Sequence, residues 1–221
     1  MIKAVIFDMD GVIIDSEPVY MEWLRGFLRE HQVTASEEEL AGMVGISPQN
    51  YQKNLELWWQ RLGKPLPERE TLYEWFERYC EKKGFSSNDV KNPYAAALFS
   101  RLKSQGIRIA VASSSSRKDI LKTLKETELL PFVDVVESGA ELEESKPNPE
   151  IYLRILQRLE LTAKECIAVE DSPYGIQAAK GAGIFVAAKK EERFGFSQSG
   201  ADVKIEDLDQ LWEVLEKQKS G

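Results

Sequence analysis

The sequence predicts an α/β protein: a doubly wound parallel sheet with an all-helical segment inserted near its start. Three observations predict it. Short apolar runs recur at residues 2–7, 107–112, 133–136, 167–169 and 184–188, the pattern of strands buried on both faces of a parallel sheet. Helical periodicity separates the later runs, as right-handed crossovers between parallel strands require. Between the first and second runs lies a stretch, residues 17–87, that reads as helical and contains none of the strand-like runs.

The first strand runs straight into Asp8 and Asp10. The following segment is too long for a crossover. Its apolar spacing (Tyr20, Trp23, Leu24, Phe27, then Leu55, Trp58, Trp59, Leu62, then Leu72, Trp75, Phe76, Tyr79) predicts a separate helical bundle. Four of the five tryptophans fall here, and core packing accounts for most of them, with one or two left as pocket candidates. The division is therefore 1–16 and 88–221 for the sheet-containing core and 17–87 for the helical insert. In the core, a helix is expected over 95–104, closed by Gly106, and another from about 117 to 126. The next opens at Asn148 and Pro149, where Asn can cap and Pro fits the first turn, with Ile151, Ile155, Leu156 and Leu159 on its apolar face. A further helix opens at Ser172 and Pro173 and stops at Gly183. Ser220 and Gly221 read as a tail.

Bulk properties narrow the function. With 221 residues and 43% hydrophobic content, the chain can bury one sizeable core and an insertion. Its 29 basic and 37 acidic side chains leave a net charge of −8, which disfavours binding driven by nucleic-acid phosphates or anionic lipid. Cys80 and Cys166 lie far apart without metal-type spacing and read as reduced thiols of a cytoplasmic protein. The N-terminal apolar run is too short for a signal peptide, and no stretch approaches a membrane span. No exposed apolar stripe is evident, so a monomer is expected. His31, the sole histidine, reads as a surface residue.

Asp8 and Asp10 pose the chemical question. Residues two apart on an extended strand point the same way, so both carboxylates aim at one spot beyond the strand end, where ligands of open α/β sheets bind. At ~5 Å and an effective dielectric of ~20 they repel by roughly 3 kcal/mol. A second acidic cluster, Glu170 and Asp171 in "CIAVEDSPYG", ends another strand. Converging carboxylates call for a cation, and hard oxygen ligands with room for water and phosphate suit Mg²⁺. "IAVASSSSRKD" puts Ser113 at a strand tip before a helix whose N–H groups can cradle an anion; Ser115 and Ser116 read equally well as turn and N-cap residues. Lys146 in "ESKPNPEIY" can relieve the acidic repulsion and hold phosphate as a point charge.

This set resembles the haloacid dehalogenase-like hydrolase superfamily: "FDMDG" (residues 7–11), Ser113, Lys146 and "VEDS" (residues 169–172) match its four motifs in order. "DSEP", "KPNPEIY" and "EDSPYGIQAAKGAG" are similar to the branch with β-phosphoglucomutase, phosphoglycolate phosphatase and small sugar-phosphate phosphatases. The resemblance implies a Rossmann-like core with an inserted helical cap domain. It implies Asp8 as the nucleophile that becomes an aspartyl-phosphate, and Asp10 as general acid and then base. It implies Mg²⁺ held by Asp8, the Asp10 backbone carbonyl and Asp171, with Glu170 bound directly or through water. Ser113, Ser114, Lys146 and the tight turn at Gly11 would contact the phosphoryl group. An acid at Asp10 argues against carbon–halogen cleavage.

Substrate choice is expected from the cap. Where β-phosphoglucomutase carries a lysine and an arginine around a glycine matching Gly45, this chain has Val44 and Pro48, so the clamp for a second phosphate is missing. Tyr20 stands at the family histidine. Tyr20, Ser47, Gln49 and Asn50 are expected to line the cap side. The leading expectation is a Mg²⁺-dependent phosphatase of a small phosphorylated metabolite. A β-phosphoglucomutase-type mutase is the first alternative, and a phosphorylation-dependent signalling module, whose acidic pair is adjacent, fits less well.

Overall fold

A computed structural model describes residues 1–219 apart from 69, 85 and 196; the expected tail at Ser220 and Gly221 lies outside them. Six strands, β1 (Ala4–Phe7), β2 (Arg108–Ser113), β3 (Val135–Ser138), β4 (Cys166–Glu170), β5 (Phe185–Lys189) and β6 (Val203–Ile205), form one sheet in the order β3-β2-β1-β4-β5-β6. Every neighbouring pair is parallel. The predicted α/β class is therefore realised. β1 sits at the centre, with Phe7 in register with Val111 of β2 and Val169 of β4.

Alternation along the strands divides the interior into two layers. Val5 and Phe7, with Ile109, Val111, Ile167 and Val169, pack against α5 (Ala95–Ser104), α6 (Arg117–Glu126) and α9 (Leu211–Lys219). Ala4, Ile6, Ala110, Ala112, Cys166 and Ala168 pack against α7 (Glu150–Leu159) and α8 (Pro173–Gly181). Tyr152 of α7 belongs to this second layer and is fully buried. Ser172 Oγ accepts from Gly175 N at 3.0 Å as the expected cap of α8, whereas α7 starts later than expected: Pro149 is its N-cap, and Asn148 Oδ1 accepts from Glu150 N at 2.9 Å in the turn before it.

Between β1 and α5 the chain forms α1 (Glu17–Glu30), α2 (Glu37–Ala41), α3 (Pro48–Gln60) and α4 (Leu72–Lys83). α1 and α3 both pack on α4. Leu24, Phe27, Leu55, Trp58, Trp59, Leu72 and Phe76 close a core distinct from the two sheet layers. The helices start where local chemistry favours it: Ser36 and Thr71 each complete a capping box with Glu39 and Glu74. His31 departs from expectation. It is half-buried, stacked 5.5 Å from Trp75 and tilted against Phe27 at 4.6 Å, because the insert's aromatic core extends to the end of α1. Both cysteines are free and buried. Among the described residues no helix is long and apolar enough to cross a membrane.

The site-bearing strand depends on one aromatic pair: Phe99 of α5 is fully buried with its ring 4.7 Å from Phe7, the last residue of β1. Phe99→Ala is expected to lower unfolding free energy by about 3–5 kcal/mol, through lost burial and the cavity left behind. Urea denaturation followed by circular dichroism measures it; a change under about 1 kcal/mol would contradict the packing argument.

Candidate active site

All six strands point their carboxyl ends to one edge, and the motif residues gather there. Asp8 follows β1, and its N–H donates to the Val169 carbonyl at 2.9 Å. Asp8 and Glu170 share the strand parity of Ile6 and Ala168, so both lean toward the face covered by α7 and α8. Lys146, just before α7, reaches the same point. Its Nζ donates to Asp8 Oδ1 at 2.6 Å, Glu170 Oε1 at 2.6 Å and the Ala112 carbonyl at 2.8 Å. Three N–H groups thus find three oxygens, which lets a charge only 6% exposed remain ionised. Burial opposes that charge, but Asp8 and Glu170 outweigh it and the lysine's pKa is raised. Tyr152 also donates its hydroxyl to Glu170 Oε1.

The remaining acids are crowded. Asp8, Glu170 and Asp171 each offer an oxygen within 4.8 Å of the others. Glu170 Oε2 is buried and, among the described residues, has no hydrogen-bond partner. Two glycines make room for these carboxylates: a Cβ on Gly11, at φ +80°, would lie 1.8 Å from Asp171 Oδ2, and one on Gly175 would lie 1.9 Å from Glu170 Oε2. Burial, and then the neighbouring charge of Asp8, raise the pKa of Asp171 well above the carboxylate range. Burial likewise raises that of Glu170, with Lys146 opposing. One ammonium against Asp8, Asp10, Glu170 and Asp171 leaves excess negative charge on hard oxygen donors. Those residues fit a divalent cation.

Asp10 is gripped by two hydroxyls. Ser16 donates to its Oδ1 at 2.7 Å and Ser115 to its Oδ2 at 3.3 Å. Burial first, and the Asp8 charge second, push its pKa up to about 6 against these bonds. Asp10 can therefore carry a proton near neutrality.

The serines of "SSSS" take separate tasks. Ser113 ends β2, buried, and its Oγ accepts from Ser115 N at 3.1 Å. Ser114 receives a bond from Ser145 at 3.2 Å. Ser116 caps α6, so the turn-and-cap reading holds for Ser116, whereas Ser115 turns to Asp10.

On the helical insert the expected residues are more dispersed. Ser47 caps α3 through Asn50 N at 3.3 Å, while Gln49 and Asn50 are exposed in its first turn. Among the described residues no hydrogen bond joins these three to the acidic group. Tyr20 stacks edge-on to Trp23 at 5.5 Å, and burial together with the Asp10 charge raises its pKa. The insert nonetheless reaches the core: a Cβ on Gly45, at φ +72°, would lie 3.1 Å from the Ser172 Cβ. Val44 beside it is buried and Pro48 opens α3, so both clamp positions carry apolar side chains.

Sequence reasoning missed Ser16, Tyr152 and Gly175. Ser16 and Tyr152 lie inside stretches already singled out, "DSEP" and "KPNPEIY", but nothing in the spacing marked them as partners of Asp10 and Glu170.

The chain is similar to known proteins. The phosphorylated carbohydrates phosphatase of Thermotoga maritima is 33% identical over 184 residues, 82% of each chain. Hexitol phosphatase B of Escherichia coli is 30% identical over 220 residues, 95% of this chain and 94% of its own. A β-phosphoglucomutase structure from Clostridium difficile aligns with a TM-score of 0.80 at 23% identity, over 99% of this chain and 97% of that one, a likeness of fold. The family described as haloacid dehalogenase-like hydrolase matches residues 2–183. That stretch holds both acidic strand ends and the lysine between them, and the chain belongs to the haloacid dehalogenase-like hydrolases.

Proposed function

We propose that this protein is a divalent-cation-dependent phosphatase of small phosphorylated metabolites of the sugar-phosphate class, acting through an aspartyl-phosphate on Asp8. The observation that carries it is Asp8 at the tip of β1, held through Oδ1 by Lys146 at 2.6 Å with Asp10 two residues on. Asp8 attacks phosphorus, forming an acyl-phosphate as the ester oxygen leaves. Asp10 gives that oxygen its proton, then takes one from the water that attacks the same phosphorus, releasing phosphate and restoring Asp8. Ser113, Ser114 and the Gly11 turn hold the phosphoryl oxygens, and Lys146 attracts them as a point charge. Asp8, the Asp10 carbonyl, Asp171 and Glu170 would hold the cation, Mg²⁺ on donor type. Mg²⁺ there would withdraw charge from the phosphoryl group.

Residues 17–87 would serve as the cap over the core of 1–16 and 88–221, and its wall bears on substrate class. With Val44 and Pro48 at the clamp positions, no cation there meets a second phosphate. Glu17, at the start of α1, adds no charge near neutrality: burial and the charges of Asp10, Asp8, Glu191 and Asp15 push its pKa up to about 8, so it keeps its proton. A wall with no cation and a neutral carboxyl disfavours bisphosphates and phosphorylated acids and suits a neutral hydroxylated remainder. The names of the Thermotoga maritima and Escherichia coli relatives support the same class.

A panel of hexitol and hexose phosphates, phosphoglycolate and pyrophosphate, with and without chelator, tests the reading. Phosphate release from the sugar phosphates, abolished by EDTA and restored by Mg²⁺, is expected; chelator-insensitive turnover would overturn it. Interconversion of β-glucose 1-phosphate with the 6-phosphate under a bisphosphate primer would mark a mutase instead. Asp10→Asn is expected to keep the fold and lose roughly 10²- to 10⁴-fold in kcat, and near-full activity would remove Asp10 from proton transfer.

Glu17 adds a pH prediction. Its pKa is about 8 in the folded chain against an ordinary 4.5. The folded state therefore keeps a proton that the unfolded state loses, and this contribution to stability, full below about 4.5, is lost as pH rises through about 8. In chelator, Glu17→Gln is expected to melt above the parent chain at pH 8 and level with it at pH 4. Identical melting curves at both pH values would contradict the assignment.

A further inference from the structure

The acidic cluster is braced by a segment beyond the family match, which ends at residue 183. After β5 the chain returns across the carboxyl edge of the sheet, and Gln198, 3% exposed, employs its whole amide there. Nε2 donates to the main-chain carbonyls of Asp171 at 2.6 Å and Lys189 at 2.7 Å, while Oε1 accepts from Glu191 N at 3.3 Å. The segment is itself anchored. Arg193 forks onto Asp15 at 2.7 and 2.9 Å and also grips the buried Glu191.

Asp171 needs such a brace. It stands between the last residue of β4, Glu170, and Pro173, the first of α8, so its peptide belongs to neither ladder nor helix. Rotation of that peptide would swing its carboxylate, whose other flank lies against Gly11 without room for a Cβ. An amide suits the task because it gives two N–H groups to two carbonyls and accepts from an N–H. Glutamate offers no donors when ionised, and methionine has a similar length without either function.

We infer that Gln198 is a positioning residue for the cation site, holding the Asp171 carboxylate in its ligating direction through the Asp171 carbonyl. This rests on the proposed role of Asp171 as a cation ligand. Partners of this kind, which touch a ligand rather than the ion, typically change metal affinity 10- to 100-fold.

The test uses the full chain with Mn²⁺ as the probe, free ion being read by electron paramagnetic resonance, for the parent chain, Gln198→Met and Gln198→Ala. Both variants are expected to raise the Mn²⁺ Kd roughly tenfold, while KM for a sugar phosphate at saturating Mg²⁺ stays within about twofold and thermal melting remains cooperative. A Kd within about twofold of the parent in both variants would overturn the inference. So would loss of cooperative melting in both, which would assign the amide to the fold alone. Absence of Mn²⁺ binding by the parent chain would overturn the cation reading beneath it as well.

Discussion

A single buried ammonium makes the acidic edge of this sheet possible. Lys146 stands between Asp8 and Glu170, and without its charge the strand ends of β1 and β4 would face each other as unscreened carboxylates. Its third N–H goes to the Ala112 carbonyl, so one side chain ties together the ends of β2, β1 and β4, three adjacent strands. Breaking such a buried pair by removing one partner typically costs about 3–5 kcal/mol, because the remaining charge is left uncompensated. The arrangement follows from parity: Asp8 and Glu170 continue the face lined by Ile6 and Ala168, and α7, which covers that face, begins just after Lys146.

The ammonium offsets only part of the negative charge, and the rest explains the chemistry of the edge. Asp171 and Glu170 are pushed toward their neutral forms by burial, and the Oε2 of Glu170, unpartnered among the described residues, points the same way. Gly11 and Gly175 act as notches, since any side chain there would overlap a carboxylate. Asp10 differs in kind. Its two oxygens meet neutral hydroxyls, one from the entry to the helical insert and one from the turn after β2, so it can exchange a proton while Asp8 keeps its salt bridge.

The helical insert is built on separate terms. Its aromatic core, with His31 folded into it, shares no cluster with the sheet layers, and it meets the core where Gly45 approaches Ser172. That contact lies one residue from Asp171. The insert therefore touches the sheet-containing core close to the acidic group.

Much of this was legible in the amino-acid order. The five apolar runs became β1 to β5, and the periodic stretches over 95–104 and 117–126 became α5 and α6 with the expected bounds. β6 and α9 were not anticipated. β6 has three residues, one of them exposed, too short to show a period. The motif acids and Lys146 could be named in advance because strand ends in a parallel sheet share one edge and a two-residue period sets which side chains converge there. The partners could not. Ser115 reaches Asp10 across 105 residues, Tyr152 reaches Glu170, and Gln198 reaches the Asp171 carbonyl. Periodicity is a property of neighbours along the chain, so it specified the elements and the acids they carry. Hydrogen bonds between distant segments depend on how the packed layers aim each side chain, and only the tertiary structure decided those.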